Sequence, residues 1–380
     1  MTAGMVAVCA HFAGPLSSAG SACGDLRLLK LPRVTITSAV PLAPGALVLR
    51  SDELPRADSS FFTAFEKLPA FCRVEAVSAP SPASHIQFEV WLPAAGWNRR
   101  YVGAGNGGYG GTINYYRLAE AVNAGYAGSS TDTGHRGSID GRDAAIDFDQ
   151  RAIHETAVNA KQIIRAFYGQ AAQHSYFHSC STGGRQGLTE AQLYPSDYDG
   201  ISAGAPAFDF GVSRDADLSD PKLRAFKDRG GKLVLYHGER DRPGPSIAYY
   251  QRLLQKFGQM AVEEFVRFYL VPEMGHCGGG PVPEFGTRLW PAAEDAQHSF
   301  ILALEDWVER GVAPRAIIAT KYRIDEDWSS GVERTRPLCP YPLQAIWTGN
   351  GNRDDAASYL CAPPRVSRVA DGRRSPGPVE

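Results

Sequence analysis

Three side chains that could perform catalysis by a nucleophile follow one another along the chain, each just after a predicted strand. Ser181 precedes the pair Gly183-Gly184, which opens a predicted helix, while Asp241 and His276 follow apolar runs further along. Loops at the carboxyl ends of parallel strands meet at one edge of a sheet, so these side chains are expected to lie together. A hydroxyl, a carboxylate and an imidazole suit an acyl-enzyme reaction, because the imidazole takes the hydroxyl proton and the carboxylate orients the imidazole.

The turn around Ser181 resembles a nucleophile elbow, in which a serine hydroxyl is exposed on a strained turn between a strand and a helix. The usual pattern G-x-S-x-G reads here as Ser179-Cys180-Ser181-Thr182-Gly183, so a serine replaces the first glycine. An ordinary turn between a strand and a helix is the alternative for this motif taken alone. The chain order serine, aspartate, histidine is that of α/β-hydrolases, and it favours the catalytic interpretation.

Two cysteines adjoin these candidate residues: Cys180 precedes the serine and Cys277 follows the histidine. A disulfide between them would fix the distance between histidine and serine that proton transfer requires. The chain has seven cysteines, and six of them are interpreted as three disulfides, with Cys9 left over. This interpretation favours an oxidising compartment, whereas buried reduced thiols are the alternative.

Short apolar runs bounded by glycine or proline predict the strands of a buried parallel sheet. These runs are Ile86–Leu92, Arg100–Ala104, Tyr126–Ser130, Ser175–His178, Gly200–Ala203, Lys232–Tyr236 and Val266–Leu270. Apolar stripes with helical spacing occur within 153–167, 247–257 and 296–307. Alternating strands and helices predict one α/β domain with a doubly wound, mostly parallel sheet. No clear period follows Gly311.

Composition excludes several classes of function. The 39 Lys+Arg are balanced by 41 Asp+Glu without a basic cluster, so a nucleic-acid partner is not expected. No apolar run reaches the roughly 18 residues of a membrane span. Zinc spacing and a dinucleotide fingerprint are missing, and we expect neither a metal nor a cofactor. The acidic residues Asp140, Asp143, Asp147 and Asp149 lack an EF-hand pattern and are predicted to form a solvated loop.

The predicted domain, 23–361, excludes both ends of the chain. Residues 1–22 are small and apolar and resemble the end of a secretory signal, although the basic start of such a signal is missing. Residues 362–380 are predicted to be a disordered tail. Together with the cysteines, the leader predicts a secreted or periplasmic protein.

Several motifs together resemble the tannase and feruloyl esterase family, which also contains the mono(2-hydroxyethyl) terephthalate hydrolases. Cys180-Ser181, Asp241 and His276-Cys277 match the CS-D-HC motif of that family. Further segments that carry the resemblance are Leu68–Val74, Phe88–Pro93, Gly105–Gly108, Ser130–His135 and Arg334–Pro342. The resemblance extends from about Cys23 to Cys361.

The resemblance implies an α/β-hydrolase fold and a serine esterase that acts on small or polymer-derived esters of aromatic acids, of feruloyl, galloyl or terephthalate-monoester type. It implies the disulfides Cys23–Cys72, Cys180–Cys277 and Cys339–Cys361. Family members carry a lid with a structural calcium between the serine and the aspartate. Here only 60 positions separate these two residues. We therefore expect a lidless chain of low specificity, with the deletion near 210–218 and without the calcium.

An oxyanion hole needs two N–H donors near the reacting carbonyl. In this fold one donor follows the nucleophile, which is Thr182 here, and the other comes from a loop after an early strand. Gly107 or Gly108 is the candidate, because glycine lets backbone approach a ligand closely. A catalytically inert binding module is the alternative function, but such a module has no reason to retain all three catalytic groups. The sequence does not indicate an oligomeric state.

Overall fold

The computed structural model describes residues 19–49, 65–213, 217–289, 295–325 and 327–364. Residues 1–18 of the predicted leader, with Cys9, and 365–380 of the predicted tail lie outside the described residues. A short helix, α1 (Ala19–Asp25), crosses the predicted leader boundary, and the disulfide of Cys23 fastens it to the domain. None of the helices in the described ranges has the length and apolarity that crossing a membrane requires.

One central sheet contains nine strands of the described chain. They are β1 (Val34–Leu42), β2 (Phe71–Ser78), β3 (Ile86–Pro93), β4 (Arg100–Ala104), β5 (Ala127–Thr131), β6 (His174–Cys180), β7 (Gly200–Gly204), β8 (Lys232–Gly238) and β9 (Val266–Val271). Their spatial order is β1-β2-β3-β5-β4-β6-β7-β8-β9. The neighbouring strands β5, β4, β6, β7, β8 and β9 pair in parallel, whereas β1, β2 and β3 form antiparallel pairs, the last of them between β3 and β5. The predicted mostly parallel sheet is therefore confirmed.

All seven predicted strands are present, with ends within two residues of the predicted ones. The sequence did not predict β1 and β2, which form the antiparallel edge. In β2, buried and partly exposed residues alternate from Cys72 onward, and β1 has only two buried residues, Ile36 and Ala39. Such strands lack the continuous apolar runs by which buried parallel strands are found.

Helices cover both faces of the sheet. After α1 they are α2 (Tyr115–Asn123), α3 (Gly141–Ile146), α4 (Ala152–Tyr168), α5 (Thr182–Leu193), α6 (Arg224–Asp228), α7 (Gly244–Phe257), α8 (Gln259–Glu263) and α9 (Phe300–Arg310). Successive strand residues belong to different hydrophobic clusters, because side chains alternate between the faces of a sheet. Phe177 lies in the cluster that contains α4, α5 and α7, and Tyr176 in the cluster that contains α2 and α9.

The three predicted helical stripes lie in α4, α7 and α9. The third helix begins at Phe300 instead of Ala296, because the Ser299 hydroxyl accepts a hydrogen bond from the Leu302 N–H and caps the helix. It ends at Gly311, which adopts the left-handed conformation at φ 72°.

Two antiparallel hairpins follow Gly311, where the sequence showed no period. They pair β10 (Ile317–Ile324) with β11 (Asp327–Leu338), and β12 (Gln344–Trp347) with β13 (Tyr359–Ala362). Burial in the first hairpin is confined mostly to its base, near Ile317 and Leu338, so no alternation runs along it. A bridge between Tyr269 and Pro340 attaches this region to the β9 edge of the sheet.

Candidate active site

Ser181 occupies a strained turn between β6 and α5. Its backbone angles are φ 65° and ψ −126°, a combination that residues with a side chain rarely adopt. Its N–H donates to the Gly204 carbonyl of β7 at 2.9 Å, and its own carbonyl accepts from the Ala207 N–H at 3.1 Å. Hydrogen bonds to the neighbouring strand and its loop therefore hold the turn in place.

Close packing around this turn explains the glycines of the motif and its one departure. A Cβ on Gly183 would lie 1.8 Å from the Ser179 Oγ, and one on Gly184 would lie 2.2 Å from the Gly204 carbonyl oxygen. A Cβ on Gly105 would lie 2.8 Å from the same Ser179 Oγ. The Ser179 hydroxyl thus fills space left by Gly105 and Gly183, which lets a serine stand where the motif usually has glycine.

The structure brings Ser181, His276 and Asp241 into one line of hydrogen bonds. The His276 Nε2 lies 2.8 Å from the Ser181 Oγ, and its Nδ1 lies 2.6 Å from the Asp241 Oδ2. A carboxylate can only accept, so Nδ1 carries the proton and Nε2 is free to accept the serine hydroxyl. The His276 side chain is half exposed and Asp241 is partly buried. This arrangement has the geometry of a nucleophile, a base and the group that orients the base.

Backbone contacts join the loops that carry the aspartate and the histidine. The Arg240 N–H donates to the Met274 carbonyl at 3.1 Å, and the Glu239 N–H donates to the Val271 carbonyl at 3.0 Å. A Cβ on Gly238 would lie 2.3 Å from the Met274 carbonyl oxygen. The two loops can approach this closely only because Gly238 has no side chain.

A disulfide joins the serine turn to the histidine loop. Cys180 and Cys277 are bonded, with their Cα atoms 5.9 Å apart across 97 residues of sequence. The structure also contains Cys23–Cys72 and Cys339–Cys361. These are the three pairs that the family resemblance implies, and in the structure none of these six cysteines is a reduced thiol.

The three residues predicted to supply an oxyanion hole, Thr182, Gly107 and Gly108, belong to the start of α5 and to the glycine loop that contacts it. Thr182 is the first residue of α5, so its N–H has no acceptor within the helix. The amides of Gly107 and Gly108 donate no hydrogen bond to any described residue. The Thr182 hydroxyl donates to the Gly108 carbonyl, which fastens the glycine loop to the start of α5.

Asn106 and Gln186 anchor that loop, although neither was predicted to be a site residue. The Asn106 N–H donates to the Gln186 Oε1 at 3.0 Å, and the Gln186 Nε2 donates to the Asn106 Oδ1 at 3.2 Å. The Asn106 Nδ2 also donates to the carbonyls of Thr112 and Thr131 at 2.9 and 2.8 Å. Both side chains are buried. An 80-residue separation gives no local signal for this pair.

His237, at the end of β8, supports the aspartate and was also missed. Its Nε2–H donates to the Asp241 carbonyl at 2.8 Å, and its Nδ1 accepts from the Ser246 hydroxyl at 2.8 Å. Burial lowers the pKa of His237, although the hydrogen bond to the Asp241 carbonyl opposes the shift. A neutral imidazole with both nitrogens bonded therefore fixes the backbone of the aspartate loop.

The prediction of a solvated acidic loop is wrong for two of its four residues. Asp147 and Asp149 lie in a π-helical segment (Asp147–Arg151) and are buried, while Asp140 is exposed and Asp143 is half-buried. Arg151 pairs with Asp147, and the buried guanidinium of Arg185 bonds the Asp149 carboxylate at 2.8 Å. These arginines compensate the buried charges, which the acidic cluster alone could not indicate.

One group of side chains in the described ranges has the composition of a metal site. The ligand atoms of His154, Glu190 and Asp197 lie within 4.8 Å of one another. The His154 Nδ1 already bonds the Asp197 Oδ2 at 2.6 Å, and the Lys161 ammonium donates to the Asp197 carbonyl. Burial, together with the nearby Asp197 carboxyl, raises the pKa of Glu190 well above its usual value. Asp197 therefore already has a side-chain partner in His154 and a backbone partner in Lys161.

Comparison with known proteins places the chain among esterases. The family model "Tannase and feruloyl esterase" matches residues 72–218 and again 212–362. An uncharacterised esterase of Xanthomonas campestris pv. campestris is 27% identical over 539 aligned positions, which cover 91% of this chain and 92% of the relative. A probable feruloyl esterase B of Aspergillus clavatus is 24% identical over 498 positions, which cover 88% of this chain and 94% of the relative.

A solved structure shares the fold. The crystal structure of feruloyl esterase B from Aspergillus oryzae matches with a TM-score of 0.76 at 22% identity, over 91% of this chain and 100% of that chain.

Proposed function

This chain belongs to the tannase and feruloyl esterase family and is a carboxylic ester hydrolase with an α/β-hydrolase fold, and we propose that Ser181, His276 and Asp241 are its catalytic triad. The observation that carries the proposal is the continuous hydrogen-bond line from the Asp241 Oδ2 through His276 to the Ser181 Oγ. Its spacing suits proton transfer without rearrangement.

The reaction proceeds in two steps. The Ser181 Oγ attacks the ester carbonyl while the His276 Nε2 takes the hydroxyl proton, and Asp241 stabilises the resulting imidazolium. His276 then returns the proton to the leaving alcohol as the carbon–oxygen bond breaks, which leaves an acyl-enzyme on Ser181. Water activated by the same imidazole releases the acid and restores the hydroxyl.

The oxyanion of each tetrahedral intermediate is stabilised by backbone N–H groups. The Thr182 N–H supplies one hydrogen bond, supported by its place at the start of α5, where the helix dipole also favours negative charge. Gly107 or Gly108 supplies the second, because both amides are without an acceptor among the described residues.

The substrates are esters of aromatic acids, of feruloyl, galloyl or terephthalate-monoester type, taken with low specificity. The relatives named as feruloyl esterases support an aromatic acid as the acyl part of the substrate. Two observations support a chain that lacks the lid: the two matches to the family model meet at 212–218, and the alignment with the Xanthomonas esterase spans 539 positions, more than the 380 residues of this chain. Contact area lost with a lid lowers discrimination between substrates.

The three disulfides support one catalytic domain, 23–361, in a secreted or periplasmic protein. The disulfides join α1 to β2, the serine turn to the histidine loop, and the residue just after β11 to β13, so they connect parts that span that range. Three disulfides form and persist in an oxidising compartment.

Labelling and a substrate panel test the proposal. A fluorophosphonate probe should label the wild type on Ser181 and should not label Ser181→Ala, whereas an inert module would label in neither form. The ratio kcat/KM should then be measured for a feruloyl ester, a galloyl ester, a terephthalate monoester and a short p-nitrophenyl ester. A preference for one aromatic ester above roughly a thousandfold would contradict the lidless interpretation.

A further inference from the structure

Two exposed aromatic rings lie beside the proposed active site. Tyr109 and Phe210 stack with their ring centroids 5.0 Å apart and an angle of 26° between the ring planes. Tyr109 is 58% exposed and Phe210 is 36% exposed. We propose that this aromatic pair binds the ring of the acid part of the ester, an inference that rests on the proposed function. Adjacent exposed aromatic residues mark a binding surface more often than a single exposed residue does.

Short stretches of backbone connect the aromatic pair to the serine turn on two sides. The Gly108 carbonyl, immediately before Tyr109, accepts a hydrogen bond from the Thr182 hydroxyl. The Ala207 N–H, which donates to the Ser181 carbonyl, lies three residues before Phe210, and a single 3₁₀ turn spans Phe208–Phe210. Three residues of such a turn rise only about 6 Å. A ring attached to a carbonyl at Ser181 is therefore within reach of the pair.

The pair is held in place before substrate arrives. Buried Phe148 lies 6.2 Å from Tyr109 between ring centroids. The Asp149 carboxylate accepts hydrogen bonds from the Val212 N–H at 3.1 Å and from buried Arg185 at 2.8 Å, which fastens the segment just after Phe210 to α5. A surface that is already ordered loses little conformational entropy on binding, so more of the contact energy contributes to affinity.

The chemistry of the pair selects flat aromatic acids. Aromatic rings stack on one another in offset or tilted arrangements, and the gain beyond the buried area corresponds to roughly 2- to 12-fold in affinity per pair of rings. The Tyr109 hydroxyl adds a polar group at the edge of the surface, suited to a hydroxylated ring. An aliphatic acid gains none of this stacking.

Methyl ferulate and methyl butyrate test the inference, because they share the alcohol and differ in the acid. Tyr109→Ala and Phe210→Ala should each lower kcat/KM for methyl ferulate about 2- to 12-fold and leave methyl butyrate within twofold. Tyr109→Phe, which keeps the ring, should lose less than Tyr109→Ala. Ferulate should also inhibit butyrate hydrolysis more weakly in both alanine variants. Met260→Ala, at an exposed apolar residue of α8, is the matched control and should behave as wild type.

Two outcomes separate this inference from the function on which it rests. If Ser181→Ala still hydrolyses both esters, the proposed triad is wrong whatever the aromatic variants do. If Ser181→Ala is inactive while the alanine variants change both esters equally or neither, only the aromatic site is overturned.

Discussion

The two ends of helix α5 hold polar groups in contrasting states. At its amino end Arg185 and Gln186 each have a partner, the Asp149 carboxylate and the Asn106 amide. At its carboxyl end both oxygens of buried Glu190 lack a hydrogen-bond partner in the described chain. At the amino end, the paired side chains hold the backbone around the proposed active site. At the carboxyl end, burial raises the pKa of the Glu190 carboxyl and favours its protonated form. We therefore expect changes at the amino end to affect catalysis, and changes at the carboxyl end to affect how stability depends on pH.

The largest expected effect is at the amino end. Ser181→Ala should lower kcat by several orders of magnitude, because only the oxyanion hole and substrate binding remain to assist the reaction. Steady-state kinetics on one activated ester would measure the loss. Activity near that of the wild type would show that Ser181 is not the nucleophile and that the polar network at this end serves another purpose.

The Cys180–Cys277 bond should account for the next effect. Replacing both cysteines by alanine frees the histidine loop from the serine turn, and a displacement of roughly 1 Å can cost about a hundredfold in rate. The double replacement of Cys339 and Cys361, in the hairpin region, is the control and should spare kcat. Detection of both Cys180 and Cys277 as free thiols in active enzyme would refute this role.

Glu190→Gln should change stability and spare activity. The pKa of Glu190 is raised in the folded protein, so stability falls as the pH rises from the unfolded value near 4.5 towards the folded one. Glutamine stays neutral, so the variant should gain on the wild type as the pH rises. We expect a Tm advantage at pH 8 of about 2–4 °C, the shift that 1 kcal/mol produces in a large domain, and a smaller one at pH 5.

Thermal unfolding at several pH values measures this difference, with Glu263→Gln on the exposed part of α8 as the control. An advantage that does not depend on pH would mean that Glu190 is ionised in the folded protein.

The smallest expected effect is that of a chelator. Because a neutral Glu190 and the Lys161 ammonium account for the charges around Asp197, neither EDTA nor added calcium should change Tm or kcat/KM. A fall in Tm with EDTA that disappears in Glu190→Gln would instead identify a metal ion held by His154, Glu190 and Asp197.

The positions of the candidate triad could be predicted, because a residue just after a buried strand has a defined place in a parallel sheet. Ser181, Asp241 and His276 meet for that reason. Their supports could not be predicted in the same way. The contact between Asn106 and Gln186 depends on where β4 and α5 come together, and His237 has no motif of its own.

The acidic cluster shows a second limit of the sequence. The sequence pattern did not distinguish buried Asp149 from exposed Asp140. The burial of Asp149 is favourable because Arg185, 36 residues away in the sequence, donates a hydrogen bond to its carboxylate. Strand β2, which lies between β1 and β3, and the hairpins after Gly311 were missed because their burial alternates or is confined to one end. Local patterns identify uniformly buried strands better than partly covered ones.

The two sides of the 213–217 junction are each fastened to the core independently. On one side Asp149 accepts hydrogen bonds from Val212 and Ser213, and on the other Gln192 bonds the Asp217 carbonyl and the Lys222 N–H. Loop-closure entropy rises by only about 0.6 kcal/mol for each doubling of loop length. A domain inserted between residues 213 and 217 would therefore cost little in loop-closure entropy. Such an insertion could change the range of substrates while the catalytic residues stay in position.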